Sequence, residues 1–108
     1  QMMQGGMHGG MAAPGAGGAA TSLSGAPDFT QAYVASMNEM HGPMMEGVMA
    51  DDPDVAFVRG MIPHHQGAID MARIVQQHGD DPQTKAWAEQ IIAAQEREIV
   101  EMEAWLPW

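Results

Sequence analysis

The feature that most constrains the fold is a stripe of apolar residues, spaced three or four positions apart, near the end of the chain. At 100° per residue its members fall within a narrow arc, interrupted by one polar residue: Ala88, Ile91, Ile92, Gln95, Ile99, Met102 and Leu106. This pattern predicts an amphipathic α-helix that begins near Pro82. Such a helix must bury its apolar face, so the rest of the chain has to supply a partner.

Two earlier segments show the same periodicity and predict two more helices, over about residues 28–50 and 54–78. Asp28 is a plausible N-cap, Asp51-Asp52-Pro53-Asp54 reads as a turn with a capping residue, and His78-Gly79 reads as a helix exit. Gly42-Pro43 predicts a kink near His41. The short connections favour antiparallel neighbours, so the expected fold is an all-α, up-down-up helical bundle.

The first 27 residues differ from the rest because they are mostly Gly, Ala, Met, Pro and Ser, with little apolar surface to bury. We expect a flexible tail over residues 1–27 and a helical domain over 28–108. The tail carries candidate metal donors, although a plain low-complexity linker is an equally good interpretation: Met2, Met3, Met7, His8 and Met11.

Composition narrows the possible functions. The 108 residues include 14 acidic and 4 basic side chains, for a net charge of −10, which disfavours nucleic acids and anionic membrane surfaces and favours cations. No apolar run approaches the roughly 20 residues of a membrane span. There is no cysteine but there are 12 methionines. Neutral thioethers suit an oxidising compartment, so a periplasmic or secreted location, in a processed form, is expected.

The strongest chemical signal is Met61-Ile62-Pro63-His64-His65, which places a thioether and two imidazoles on one helical turn. A second such turn lies upstream and contains Met37, Met40, His41 and Met44. If the two helices are antiparallel and the turn is centred on residue 52, residues equally distant from residue 52 lie side by side. Met40 is then level with His64, and Met44 is level with Gly60. The same reasoning across the next turn brings Gln95 and Glu96 level with His64 and His65, and Met102 near Met61.

These donors predict a metal site, because unpaired imidazoles on an apolar face are costly without a partner. Soft thioether and imidazole donors favour Cu(I), with Ag(I) as a mimic and Cu(II) possible at a His-rich subset. Gln95 is a candidate to orient a ligand histidine. The alternative for each methionine is ordinary core packing, which is the commoner use of a methionine stripe.

Three motifs resemble the domain of unknown function 305 family, which includes CopM-type periplasmic copper-binding proteins. They are Met37-x-x-Met40-His41-x-x-Met44, then Asp54-x-x-Phe57-x-x-x-Met61-Ile62-Pro63-His64-His65-Gln66-x-Ala68-x-x-Met71-Ala72, then Gln95-x-x-Glu98-Ile99-x-x-Met102-x-x-Trp105-Leu106. The resemblance covers roughly residues 30–106. It implies a ferritin-like helical bundle, export from the cytoplasm, and copper or silver binding linked to metal tolerance. The ligands that it implies are Met40, His41, Met44, Met61, His64, His65, Met71 and Met102.

Only three helices are readable, whereas ferritin-like bundles have four, so either the tail or a second copy in a homodimer would complete the bundle. We expect a binding protein rather than an enzyme, since the paired Glu-x-x-His motifs of di-metal oxidases are missing. A copper chaperone or efflux component is the expected protein partner. Two alternatives stay open: a metal-independent interaction module with a Met-rich groove, and a copper-dependent oxidase.

Overall fold

The computed structural model describes residues 23–107, which form three α-helices after a short 3₁₀ turn at Leu23–Gly25. The helices are α1 (Asp28–Gly47), α2 (Pro53–His78) and α3 (Pro82–Trp105). The prediction of an all-α helical bundle is confirmed. Most of the predicted tail, residues 1–22, lies outside the described residues.

The starts of α2 and α3 follow from two Asp-Pro pairs. The Asp52 carboxylate accepts hydrogen bonds from the backbone N–H groups of Asp54, at 2.8 Å, and Val55, at 3.1 Å. Asp81 accepts one from Thr84 at 2.9 Å. In each case the next residue is a proline, whose missing N–H costs nothing in the first turn. Both starts agree with the sequence prediction.

The ends of α1 differ from the prediction. Pro27 occupies the N-cap position, so Asp28 is the first helical residue and makes no capping hydrogen bond with its side chain. The helix continues past Pro43 but ends at Gly47, before the predicted residue 50. The end of α2 is as predicted, at His78. Gly79 is needed there for space, because an added Cβ would lie 2.7 Å from the Val75 carbonyl oxygen.

Within the described part of the chain, α2 is the central helix, and extensive packing is limited to α1 against α2 and α2 against α3. None of the helices described is both long enough and apolar enough to span a membrane. The buried apolar residues are few, and Ile69 is the largest that is fully buried: Val58, Ile69, Ala72 and Ala88. Large side chains such as Phe57 and Trp87 are more than half exposed.

This small core makes Ile69 the best test of the packing. Truncation of Ile69 to Ala should cost about 2–5 kcal/mol of unfolding free energy, because the side chain is only 2% exposed and its removal leaves a cavity. Chemical denaturation followed by helical circular dichroism measures the loss. The control is Ile91→Ala, since Ile91 is 40% exposed and its loss should cost less than about 1 kcal/mol. Equal losses would contradict the assignment of Ile69 to the centre of the core.

Candidate metal centre

Three methionines and one histidine meet at a cavity between α1 and α2. The cavity has a volume of about 150 Å³. We call it the Met/His cavity, and its lining residues are Ser36, Met37, Met40, His64, Gly67, Ala68 and Met71. The donors come from two stripes, since residues 36, 37 and 40 lie on adjacent turns of α1 and residues 64, 67, 68 and 71 share one face of α2. Four predicted ligands therefore lie together.

The cavity forms where glycines allow the two helices to approach closely. An added Cβ on Gly67 would lie 2.6 Å from the Met40 sulfur, and one on Gly60 would lie 2.8 Å from the Val48 side chain. At Gly47 an added Cβ would overlap the backbone carbonyl of Arg59. Met40 therefore packs directly on the α2 backbone. Its counterpart on α2 is Gly67 rather than His64, three residues from the predicted register.

The cavity is open to solvent on the side of two of its thioethers. Met37 is 52% exposed and Met71 is 44% exposed, whereas Met40 is half-buried. His64 is exposed and forms no hydrogen bond within the described part of the chain. Its ring nitrogens are therefore accessible. An ion can reach these donors without prior unfolding of the helices.

Negative charge lies beside the Met/His cavity. Glu39 and Asp70 line an adjoining cavity of about 130 Å³ that shares Met40 and Gly67 with it. Carboxylates at this position attract cations toward the thioethers, in line with the net charge of −10.

His65 faces a different helix from its neighbour. The planes of the two rings are inclined at 61°, and their centroids are 6.2 Å apart. His65 is 9% exposed, and its Nδ1 donates a hydrogen bond to the Met61 carbonyl oxygen at 2.9 Å. Its Nε2 lies 2.6 Å from Oε1 of Glu98 on α3, which is within hydrogen-bond distance. Both ring nitrogens are thus engaged, and the residue joins α2 to α3.

The remaining predicted ligands do not line the Met/His cavity. His41 is exposed on α1. Met44, Met61 and Met102 are half-buried. The predicted ligands Met3, Met7, His8 and Met11 lie outside the described residues. The antiparallel arrangement predicted that the ligands on the helices would form one cluster. In the structure they are divided between two interfaces, with His64 toward α1 and His65 toward α3.

Two polar residues at these interfaces were missed from the sequence. Glu98, rather than the predicted Gln95, forms the hydrogen bond with a histidine. Ser36 lines the Met/His cavity but was not singled out. A signal did exist for Ser36, because it precedes Met40 by one helical turn and so shares its face.

No three side chains of the types His, Asp and Glu are placed to hold a metal ion together within residues 23–107. The donors that do converge there are thioethers and one imidazole. This set is the kind that soft monovalent ions prefer, whereas hard ions such as Mg²⁺ and Ca²⁺ take oxygen ligands.

Comparison with known proteins assigns the chain to a family. The family model described as Domain of unknown function (DUF305) matches residues 1–106. The chain belongs to this family. A curated relative of this DUF305 chain, described as uncharacterized protein L153 of Acanthamoeba polyphaga mimivirus, is 43% identical over 49 residues. The match covers 45% of the chain and 32% of the relative, so the chain spans about a third of that protein's length.

The His65–Glu98 contact in this DUF305 domain predicts a stability effect. Substitution of Glu98 by Ala should lower the unfolding free energy by about 1 kcal/mol, because it leaves a nearly buried imidazole without its partner, although the carboxylate itself is 45% exposed. Glu98→Gln should cost less, since an amide can still form a hydrogen bond with Nε2. Chemical denaturation measures both.

The control is Glu101→Ala, because Glu101 is exposed on the same helix. If removal of Glu98 and removal of Glu101 had the same effect, the pair would contribute nothing to the packing of α3 on α2.

Proposed function

We propose that the protein binds Cu(I), with Ag(I) as a mimic, in the Met/His cavity through the three thioethers and the imidazole. The function would be sequestration, tolerance or trafficking of copper outside the cytoplasm, without catalysis. The observation that supports this proposal is the convergence of Met37, Met40, Met71 and an unpaired His64 on one cavity. Core packing alone does not account for it, because two of the thioethers are about half exposed.

The chemistry of the donors supports Cu(I) over other ions. Thioethers are neutral and soft, bind hard cations poorly, and need not lose a proton before they bind. Three thioethers and one imidazole supply four donors, which is enough for a d¹⁰ monovalent ion. The acidic residues Glu39 and Asp70 next to the cavity favour entry of a cation.

A transfer role is compatible with the exposure of the site. Met37 and Met71 lie at the surface, so a donor from another protein can reach the bound ion before every ligand of this chain has left it. A copper chaperone or an efflux component outside the cytoplasm is the class of partner that the proposal implies.

The ligand set can be tested with a matched pair of variants. The triple variant M37L/M40L/M71L replaces thioethers with apolar side chains of similar size and should weaken the tightest Cu(I) site by about tenfold or more, about 1.4 kcal/mol per tenfold. The control M3L/M7L/M11L removes the same number of thioethers from the predicted tail and should leave that site unchanged. Competition with a chromophoric Cu(I) chelator measures the affinities.

The histidines give an independent arm of the same test. His64→Ala should weaken the tightest site, whereas His78→Ala should not, because His78 packs its ring against Phe29 at the far end of α2. A wild-type protein that fails to compete at micromolar concentration would contradict copper binding. A full effect from the tail variant alone would place the tightest site outside the Met/His cavity.

Gly67 provides a test of the cavity geometry. An added methyl group at this position would lie 2.6 Å from the Met40 sulfur and so displace the end of a flexible side chain. Gly67→Ala should therefore weaken Ag(I) binding about tenfold with little loss of helix stability. Titration with Ag(I) followed by calorimetry measures the change. The control is Gly42→Ala, where an added Cβ meets nothing within 4 Å, and unchanged binding by the Gly67 variant would contradict a role for Met40.

A second candidate function rests on a groove formed mainly by α2 and α3, which shares Met71 with the Met/His cavity. It has a volume of about 360 Å³ and an apolar lining that includes Tyr33, Met71, Trp87 and Ile91. Such a groove suits an apolar helix face of another protein, as a metal-independent interaction module would require. The chelator competition separates the two functions, because this module would not compete for Cu(I).

A further inference from the structure

The three helices form a single layer with two open sides. Within residues 23–107, α1 and α3 each pack on α2, and extensive packing between α1 and α3 is absent. A helical domain normally consists of two layers that bury their apolar sides against each other. Both broad sides of this layer are therefore uncovered in the described part of the chain, and they differ in chemistry.

One side of the layer, which we call the acidic side, is lined by charged residues. Its two cavities, of about 420 and 130 Å³, share Pro63 and Gln66 of α2. Charged side chains of all three helices line them: Glu39, Glu46, Arg59, Asp70 and Glu103. Charged groups are best left in water, so this side needs no cover. A basic partner would be attracted to it.

The opposite side, which we call the apolar face, has a different lining. Gln66 and Ala68 are about 200° apart around α2, so the two sides lie back to back. The groove of about 360 Å³ between α2 and α3 opens on this face, and no charged residue of the described chain lines it. Trp87 lies at this groove and is 55% exposed. Trp105 lies about five turns further along α3 and extends the same face.

The apolar face is large enough to form an interface. Phe57, about three turns before Ala68 on the same side of α2, is 62% exposed, and Trp105 and Met71 are 52% and 44% exposed. With Trp87 these side chains present about 400 Å² of apolar surface, and the smaller residues between them bring it near the roughly 500 Å² per copy that small specific interfaces bury. Monomeric proteins rarely expose a larger patch.

A second copy of the chain is the occupant that fits this face best. Two copies that meet by their apolar faces keep both acidic sides on the outside, so the net charge of −10 on each copy opposes the contact least. They also form the two-layer bundle that one copy lacks. Residues 1–22 contain no aromatic residue and no Val, Ile or Leu, so they supply less apolar surface than a second face does.

We propose that the protein forms a homodimer in which two copies meet through their apolar faces. A two-fold axis relates the copies, so that each surface contacts the same surface of the other copy. The inference does not depend on copper binding. It assigns the groove between α2 and α3 to a second copy of this chain rather than to a different protein.

The test measures the mass of the metal-free full-length chain by sedimentation equilibrium, from about 1 to about 100 µM protein. The wild-type protein should approach twice the chain mass of 11.6 kDa. Trp87→Glu should raise the dissociation constant about tenfold or more, because it places an unpaired carboxylate in the apolar contact. The matched control is Val100→Glu, since Val100 is 66% exposed on α3 but points about 140° away from Trp87.

Two further measurements keep the result independent of a single variant. Phe57→Glu on α2 should weaken the dimer as Trp87→Glu does, and it decides the test if circular dichroism shows that the Trp87 variant fails to fold. Added salt should tighten the dimer, because it screens the repulsion between two acidic copies and leaves the apolar contact in place.

Three results would overturn the proposal. A chain that stays monomeric at the highest concentration would leave the apolar face to residues 1–22 or to another protein. Weakening by Val100→Glu that equals the weakening by Trp87→Glu and Phe57→Glu would place the contact elsewhere. A dimer that dissociates as salt is added would depend on opposite charges and not on the apolar face.

Discussion

The close approach of α1 to α2 at three glycines is the constraint on which the rest of the candidate site depends. Without side chains at Gly47, Gly60 and Gly67, the α1 backbone and the Met40 side chain lie directly on α2. Gly60, His64, Gly67 and Met71 alternate along one stripe of α2. The glycines set the distance between the helices. His64 and Met71, on the same stripe, supply donors at the edge of the helix contact. Helix packing and ligand placement therefore come from the same stripe.

The central position of α2 explains why its two adjacent histidines have different surroundings. Successive residues on a helix are rotated by about 100°, so the side chains of His64 and His65 point in different directions. One points toward α1 and has no hydrogen bond, while the other is held by Met61 and Glu98. The imidazole with free nitrogens is suited to bind an ion, and the engaged one is suited to hold α3 in place. The Met-Ile-Pro-His-His turn thus serves two interfaces.

Sequence reasoning was sound for the helices, because Asp52-Pro53, Asp81-Pro82 and His78-Gly79 act locally. It gave the right helices for the four clustered donors but not their register. The predicted register pairs residues that are equally distant from residue 52, and it therefore assumes that the two helices are joined by a turn centred on that residue. In the structure α1 ends at Gly47, and the chain continues to Pro53, so that Gly47 lies opposite Gly60. Glu98 was missed because its role depends on contact with another helix, which the pattern of α3 alone does not show.

The central helix also has a consequence for how the molecule can open. Among residues 23–107, α1 and α3 each pack along α2 with no extensive interface between them, so separation of α1 leaves the α2–α3 interface with its His65–Glu98 pair intact. Elements joined in this way can open as separate cooperative units. An ion shared by α1 and α2 would act as a cross-link for one unit only. Binding of the ion would therefore slow amide hydrogen exchange in α1 but not in α3.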